Sequence, residues 1–426
     1  MKNDSRRSGI SLRHGIAIYI SSVLGGGILI LPGLAADAAG PSSIVAWIIL
    51  SLASFPFAYT FSRLAMRSKV SGGIYAFTLE AFGAKTGNSV GWLFLAWVAL
   101  GAPAVAVAAG TYLSYAIPLS RLEIFLVAFL LIMSVTIINY RGIRFSANLQ
   151  LFIIILLLSL LTLSIVSSGT RISLDDFQPF FGKNSFTSIG TAMALVVWAY
   201  FGYENVPNLA GEFNDLQRDL RRSVSYSVII ISILYVSVSV VTVGTGAYRS
   251  GNGLVPFAVI LSGVFGIYGG LAAGVIALVA IFSTMNAYIA GVGRLIHEVS
   301  RNSGFPVFIS GRGQSEDPGR SVVLIGILGS IFLMFYWVFN VPIEDAFLIV
   351  SGIGVVTYIV GSAAGIKLLD EGGWKKGIPW ISLLISVMLV VFIGKFMVIS
   401  AVVVLLSISY TILRDRRLKI EGPPSP

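Results

Sequence analysis

The stretch Ser21-Ser22-Val23-Leu24-Gly25-Gly26-Gly27-Ile28-Leu29-Ile30-Leu31-Pro32 lies near the middle of an apolar segment covering about residues 15–38. Each glycine costs about 1 kcal/mol of helix propensity relative to alanine, so a helix whose only task is to span a bilayer would avoid three in a row. A break at this point frees backbone N–H and C=O groups that lipid cannot satisfy, and such a break must line a cavity or meet a polar ligand. The half-helix that follows presents its N-terminus, which attracts a carboxylate. Close helix packing through small residues is the competing reading of glycines in apolar segments. We assign Gly269, Gly270, Gly274, Gly361 and Gly365 to packing.

The rest of the chain has the same apolar character. Of 426 residues, 56% are hydrophobic and 11% charged, and the mean hydropathy is +0.89. A soluble protein of that balance would expose large apolar patches. Twelve apolar segments can be marked, at about 15–38, 42–66, 86–116, 122–139, 147–168 and 187–211, then 223–247, 268–293, 321–339, 343–369, 378–394 and 396–413. If both termini lie in the cytoplasm, 24 of the 29 Lys and Arg residues fall in inside loops and only Arg121, Arg171, Lys183, Arg249 and Lys395 lie outside. This bias predicts a multi-pass protein of the cell membrane with cytoplasmic N- and C-termini. It also accounts for the net charge of +10 without nucleic acid, which would need a basic face on a folded domain.

The N-terminus has no small-residue cleavage site in a suitable place, so no cleaved signal peptide is expected. The longest polar connections, about 169–186, 249–266 and 297–320, are too short for a soluble domain, and residues 1–426 are read as one transmembrane domain. Absence of cysteine excludes disulfides and thiolate metal sites, and the two histidines, His14 and His297, stand far apart in polar flanks. No cofactor is expected. An enzyme would need an acid–base or metal constellation and a channel a pore lined by polar rings; no segment supplies either.

A second segment resembles the first in being interrupted. Trp198-Ala199-Tyr200-Phe201-Gly202-Tyr203-Glu204-Asn205-Val206-Pro207 places a glycine, an acid and a proline inside an otherwise apolar span. An ionisable residue there is a functional candidate by default. Interrupted segments 1 and 6, in corresponding places of two five-helix halves, point to an all-α inverted-repeat transporter with its site at the membrane midplane. The repeats would cover about 15–168 and 187–369, followed by peripheral helices at about 378–413.

These residues carry a likeness to a known family. The motifs are Gly25-Gly26-Gly27-Ile28 with Leu31-Pro32; Ser71-Gly72-Gly73-Ile74-Tyr75 leading to Phe82-Gly83; Gly91-Trp92-Leu93-Phe94-Leu95; and Gly101-Ala102-Pro103-Ala104. They continue with Arg141-Gly142, Ser146-Ala147-Asn148-Leu149-Gln150, Phe201-Gly202-Tyr203-Glu204, Leu209-Ala210-Gly211-Glu212-Phe213-Asn214, Ser283-Thr284-Met285-Asn286-Ala287-Tyr288-Ile289 and Gly365-Ile366-Lys367-Leu368-Leu369. In that order the chain resembles the amino acid, polyamine and organocation transporters, and among them the amino-acid efflux branch. Arg221 stands where the family usually has a proline before the arginine.

The resemblance implies a LeuT-like five-plus-five inverted repeat with helices 1 and 6 unwound and two peripheral helices. It also implies alternating-access efflux or exchange of neutral apolar amino acids such as methionine, leucine, isoleucine and valine. Proton- or sodium-coupled uptake, and exchange of cationic amino acids or polyamines, stay open as alternatives. On this reading Val23, Gly25, Gly26, Gly27, Ile28, Trp198, Phe201 and Gly202 form the substrate site. The amides of Gly26, Gly27 and Ile28 receive the carboxylate, and carbonyls near Val23, Trp198 and Phe201 receive the ammonium. Side-chain selectivity is expected from segments 3, 8 and 10, around Ala102 and Pro103.

Trp198 occupies the place of the family's aromatic gate, with an interfacial or packing tryptophan as its alternative. Glu204 either protonates during the cycle or holds the broken helix in shape. Ser283 and Thr284 could furnish a sodium site, although hydroxyls in spans more often bond their own helix; a proton is favoured over sodium as coupling ion. The expected partners are a small amino acid and the bilayer, with the oligomeric state left open.

Overall fold

The computed structural model describes residues 11–67, 73–142, 147–182, 185–203, 215–249, 251–302, 304–306, 309 and 318–421. Among them the chain is helical throughout, without a strand. The first apolar segment holds two helices, α1 (Leu12–Val23) and α2 (Leu31–Ala39), joined by a 3-10 turn at Gly26–Leu29. Then come α3 (Ser43–Arg67), α4 (Gly73–Phe82), α5 (Ala84–Ala116), α6 (Arg121–Tyr140) and α7 (Ala147–Ser167). The second half runs α8 (Ser185–Val196), α9 (Arg221–Gly244), α10 (Pro256–Phe265), α11 (Ile267–Arg301), α12 (Gly319–Val338) and α13 (Ile343–Leu368). Helices α14 (Ile378–Ile393) and α15 (Met397–Glu421) follow.

Nine stretches among the described residues are long and apolar enough to cross a membrane. Two of them, Leu31–Arg67 and Gly373–Arg416, each contain a bend, at Gly40 and Gly394, both with φ of +57°. Two apolar helical stretches, Ser185–Tyr200 and Pro256–Phe265, are shorter. Large apolar side chains stand exposed along the flanks, among them Leu130 (61%) on α6 and Val391 (74%) on α14. In water such flanks would be an aggregation liability, whereas against hydrocarbon they cost nothing. Helix α5 is the most enclosed: 94% of its apolar window is buried, against 28% for α6. It packs along α11, which also touches the 3-10 turn at Gly26–Leu29.

The order of elements recurs. Helices α3 and α9 have 25 and 24 residues, α4 and α10 both have 10, and α5 and α11 have 33 and 35. A glycine with positive φ joins each short helix to the long one after it, Gly83 at +82° and Gly266 at +61°.

Two expectations need correction. Residues 249–266 are not a polar connection throughout, because Pro256–Phe265 folds into α10 with Phe257, Ala258, Ile260 and Leu261 buried. His297 is not in a solvated flank: α11 runs on to Arg301 and leaves the imidazole 7% exposed. The glycines assigned to packing do pack. A Cβ on Gly269 would stand 2.2 Å from the Leu261 carbonyl oxygen, and one on Gly365 2.6 Å from the Thr60 methyl.

Candidate functional site at two broken helices

Helix α1 makes its last regular bond from Leu24 N to Ile20 O, 2.7 Å, and then leaves helical geometry. Leu24 has φ −72° and ψ +74°, and Gly25 is extended at −91° and −173°. Pro32 sits in the first turn of α2, where its missing N–H costs nothing. The amides of Gly26 and Gly27 carry no hydrogen bond among the described residues, and that of Ile28 makes only a long one, 3.4 Å to Gly25 O. A reason for three consecutive glycines is visible in what surrounds them. A Cβ on Gly25 would stand 3.1 Å from the Thr284 methyl, one on Gly26 2.7 Å from Ile281 Cγ1, and one on Gly27 3.3 Å from the Trp198 ring. Helix α11 and Trp198 close on the break from two sides.

The second break mirrors this arrangement. Helix α8 passes into a 3-10 turn at Val197–Tyr200, and Phe201 is extended. Gly202 has φ +132°, which side-chain-bearing residues rarely adopt, and its Cβ would fall 2.5 Å from Ser22 O. The Ser22 hydroxyl donates to Gly202 O at 2.9 Å, which ties the two breaks together. Glu204 lies outside the described residues, as do Ser71, Gly72 and 205–214.

Two buried tyrosines serve carbonyls that the breaks release, and a third, Tyr200, ties the second break to α3. Tyr235 on α9 points its hydroxyl between Val23 O (3.2 Å) and Ala199 O (3.0 Å), one from each broken segment. Tyr112 on α5 donates to Leu29 O at 2.5 Å. The Tyr200 hydroxyl meets Ser51 Oγ at 2.7 Å and Trp47 O at 3.1 Å. Trp47, Tyr200 and Tyr235 pack edge to face, with Tyr235 5.3 Å from Trp47 and 5.1 Å from Tyr200. Sequence reasoning missed Tyr112 and Tyr235. The available signal was a phenol placed within an otherwise apolar span.

Beside the first break lies a cavity of about 50 Å³. Its walls are Trp97, Ala102 and Val105 of α5 facing Ile281, Met285 and Ile289 of α11, and Gly26 and Trp198 close it. No charged side chain among the described residues lines it. The Thr284 hydroxyl reaches it, but donates to the Ala280 carbonyl of its own helix at 2.9 Å.

The sequence-derived set is thus partly assembled. Gly26, Trp198, Ala102 and Thr284 meet at the cavity, with Gly25 and Gly27 next to them. Trp198 packs on Phe347 of α13 at 4.8 Å, so segment 10 stands behind the tryptophan and does not line the wall. The Phe201 ring turns away, into the notch at Gly354 and against Trp97 at 4.9 Å. Val23 O already accepts from both Gly25 N and Tyr235, so an ammonium there must displace a donor, whereas Trp198 O accepts only from Phe201 N, at 3.3 Å. Neither Pro103 nor Ser283 lines the cavity. Among the described residues no three His, Asp or Glu side chains cluster as metal ligands.

A bundle of apolar helices with two facing backbone breaks beside a small cavity is the architecture of a membrane solute carrier. Residues 10–410 match the family model for amino acid permeases, and the chain belongs to that family. It is 30% identical over 365 residues to the uncharacterized amino acid permease YecA of Bacillus subtilis, covering 85% of this chain and 86% of that one. It is 28% identical over 391 residues to the L-methionine/branched-chain amino acid exporter YjeH of Escherichia coli, covering 90% and 91%. A branched-chain amino acid permease of Bacillus subtilis, BcaP, is 27% identical over 252 residues, 53% of this chain and 52% of its own.

Proposed function

We propose that this permease exports or exchanges neutral apolar amino acids, such as methionine, leucine, isoleucine and valine, by alternating access. The observation that carries this reading is the pairing of unbonded Gly26 and Gly27 amides with a cavity walled by Ala102, Val105, Ile281 and Met285. Amides at the start of a half-helix suit the carboxylate shared by every amino acid, and apolar walls select by the side chain. Phe201 O accepts no hydrogen bond among the described residues and is the carbonyl we assign to the ammonium, in preference to Val23 O. A wall that is apolar and without a carboxylate among the described residues argues against cationic or polyamine cargo, whose charge would be desolvated there.

Our reading includes twelve spans in two five-helix inverted repeats, peripheral α14 and α15, both termini in the cytoplasm, and Trp198 as the gate. The recurring order of element lengths supports the repeat. Proton coupling is preferred to sodium because Ser283, the second hydroxyl of the candidate sodium pair, does not line the cavity. If Glu204 carries the proton, Glu204→Gln abolishes accumulation driven by a pH gradient and leaves counterflow intact; loss of both assigns it to holding the break.

Counterflow in proteoliposomes tests the cargo. Vesicles loaded with unlabelled methionine, leucine, arginine, glutamate or putrescine are offered the labelled counterpart without an ion gradient. Exchange confined to methionine and leucine is the expected result, and exchange of arginine or putrescine alone overturns the cargo.

A further inference from the structure

A second and larger concavity, about 670 Å³, lies outside the candidate substrate site, between α3, α9 and α14. Its walls are apolar along most of their length: Leu52 and Phe55 of α3, Val228 of α9, and Ile381, Ile385 and Met388 of α14. One end differs. There Arg221 and Lys375 line it together with the hydroxyl-bearing Tyr59, Ser62 and Ser225, and Trp374, 78% exposed, stands at the rim. The neighbouring Arg63 is paired with Glu371, whereas Arg221 and Lys375 have no carboxylate partner among the described residues.

The groove's depth matches half a bilayer. From Ser62 to Ile49 the lining positions on α3 span about 20 Å at 1.5 Å per residue. One leaflet of hydrocarbon is about 15 Å thick. A groove one leaflet deep, apolar below, with hydroxyls and then two unpaired cations above and a tryptophan at the rim, repeats the order of parts of one lipid molecule. We propose that it is a binding site for a single anionic phospholipid. The phosphate is held by Arg221 and Lys375, the glycerol region lies beside Tyr59, Ser62 and Ser225, and an acyl chain runs down between α3 and α14. A lipid there touches α9, whose Tyr235 joins the two breaks, so occupancy bears on the same helix that bridges them. The proposal rests on the chain spanning a membrane, but its test requires no transport.

The test is native mass spectrometry of the purified full-length chain, delipidated in detergent and titrated with phosphatidylglycerol or phosphatidylcholine. The wild type should retain phosphatidylglycerol in preference. Arg221→Gln with Lys375→Gln should lower that retention by about thirtyfold, the effect of two cations near a membrane surface. Lys376→Gln, one residue outside the groove, should change nothing. Ser225→Trp, at an exposed position inside the groove, should lower retention of both lipids, and each single charge variant serves if the double variant melts early. Equal retention of the two lipids by the wild type, an equal loss in Lys376→Gln, displacement of the lipid by millimolar inorganic phosphate alone, or a second copy of the chain in place of lipid would each overturn the proposal.

Discussion

Tyr235 places one hydroxyl between a carbonyl of each broken segment, Ala199 O and Val23 O, of which Val23 O also accepts from Gly25 N, and a buried carbonyl without a partner costs about 1–3 kcal/mol. Tyr235→Phe keeps the ring packed on Trp47 and removes only that hydroxyl. It should lower thermal stability in detergent by about 1–3 kcal/mol and slow counterflow, because the breaks lose the group that holds them in register. An unchanged melting curve would show that water serves those carbonyls as well. Trp198→Leu removes the ring that closes the cavity and should reduce exchange with little effect on stability, since the indole is only part-buried; full activity would leave it a packing residue. Gly25, Gly26 and Gly27 stood out in the sequence because a glycine run within a span is a local signal, and Trp198 was singled out through the family resemblance. Tyr235 was not: its partners lie 212 and 36 residues away, and nothing nearby in the chain says where a phenol will point.

Helices α5 and α11 supply the cavity's walls because each presents small residues on the face that meets the other and the first break. Gly274 of α11 rides over the backbone of Tyr112, and Gly101 of α5 fits beside Val350 of α13. Ala102 occupies the cavity wall itself, and a benzyl group there has only about 50 Å³ to enter. Ala102→Phe should therefore abolish methionine and leucine exchange while the protein still expresses and melts near the wild type; retained exchange with both would move the cargo elsewhere. Spans of twenty apolar residues were readable because bilayer thickness sets their length. Helix α10 escaped because its ten apolar residues are too short for a span and follow a polar, glycine-rich stretch, Arg249 to Gly253. Its helical state comes from packing on α11.

The chain as a whole has no cysteine, so a single introduced thiol reports on one place only. With cytoplasmic termini, Leu174→Cys, at a position 82% exposed between α7 and α8, should react with an impermeant maleimide in intact cells. Gly372→Cys, between α13 and α14, should react only after the membrane is opened. The reverse pattern would invert the orientation argued from the basic residues. The membrane as solvent, the interrupted segments and the resemblance to amino acid carriers are properties of composition and local order, and the amino-acid sequence by itself determined them; the orientation is what its basic residues predict. Hydrocarbon punishes any exposed polar backbone, so a glycine cluster in a span is informative before any fold is known. Which carbonyls are already taken, that Phe201 turns away from the cavity while Trp198 closes it, and where a basic-ended groove opens between α3, α9 and α14 were decided only by the tertiary structure. Each depends on side chains brought together from helices far apart in the chain, and helical periodicity states which face a residue occupies but not what that face will meet.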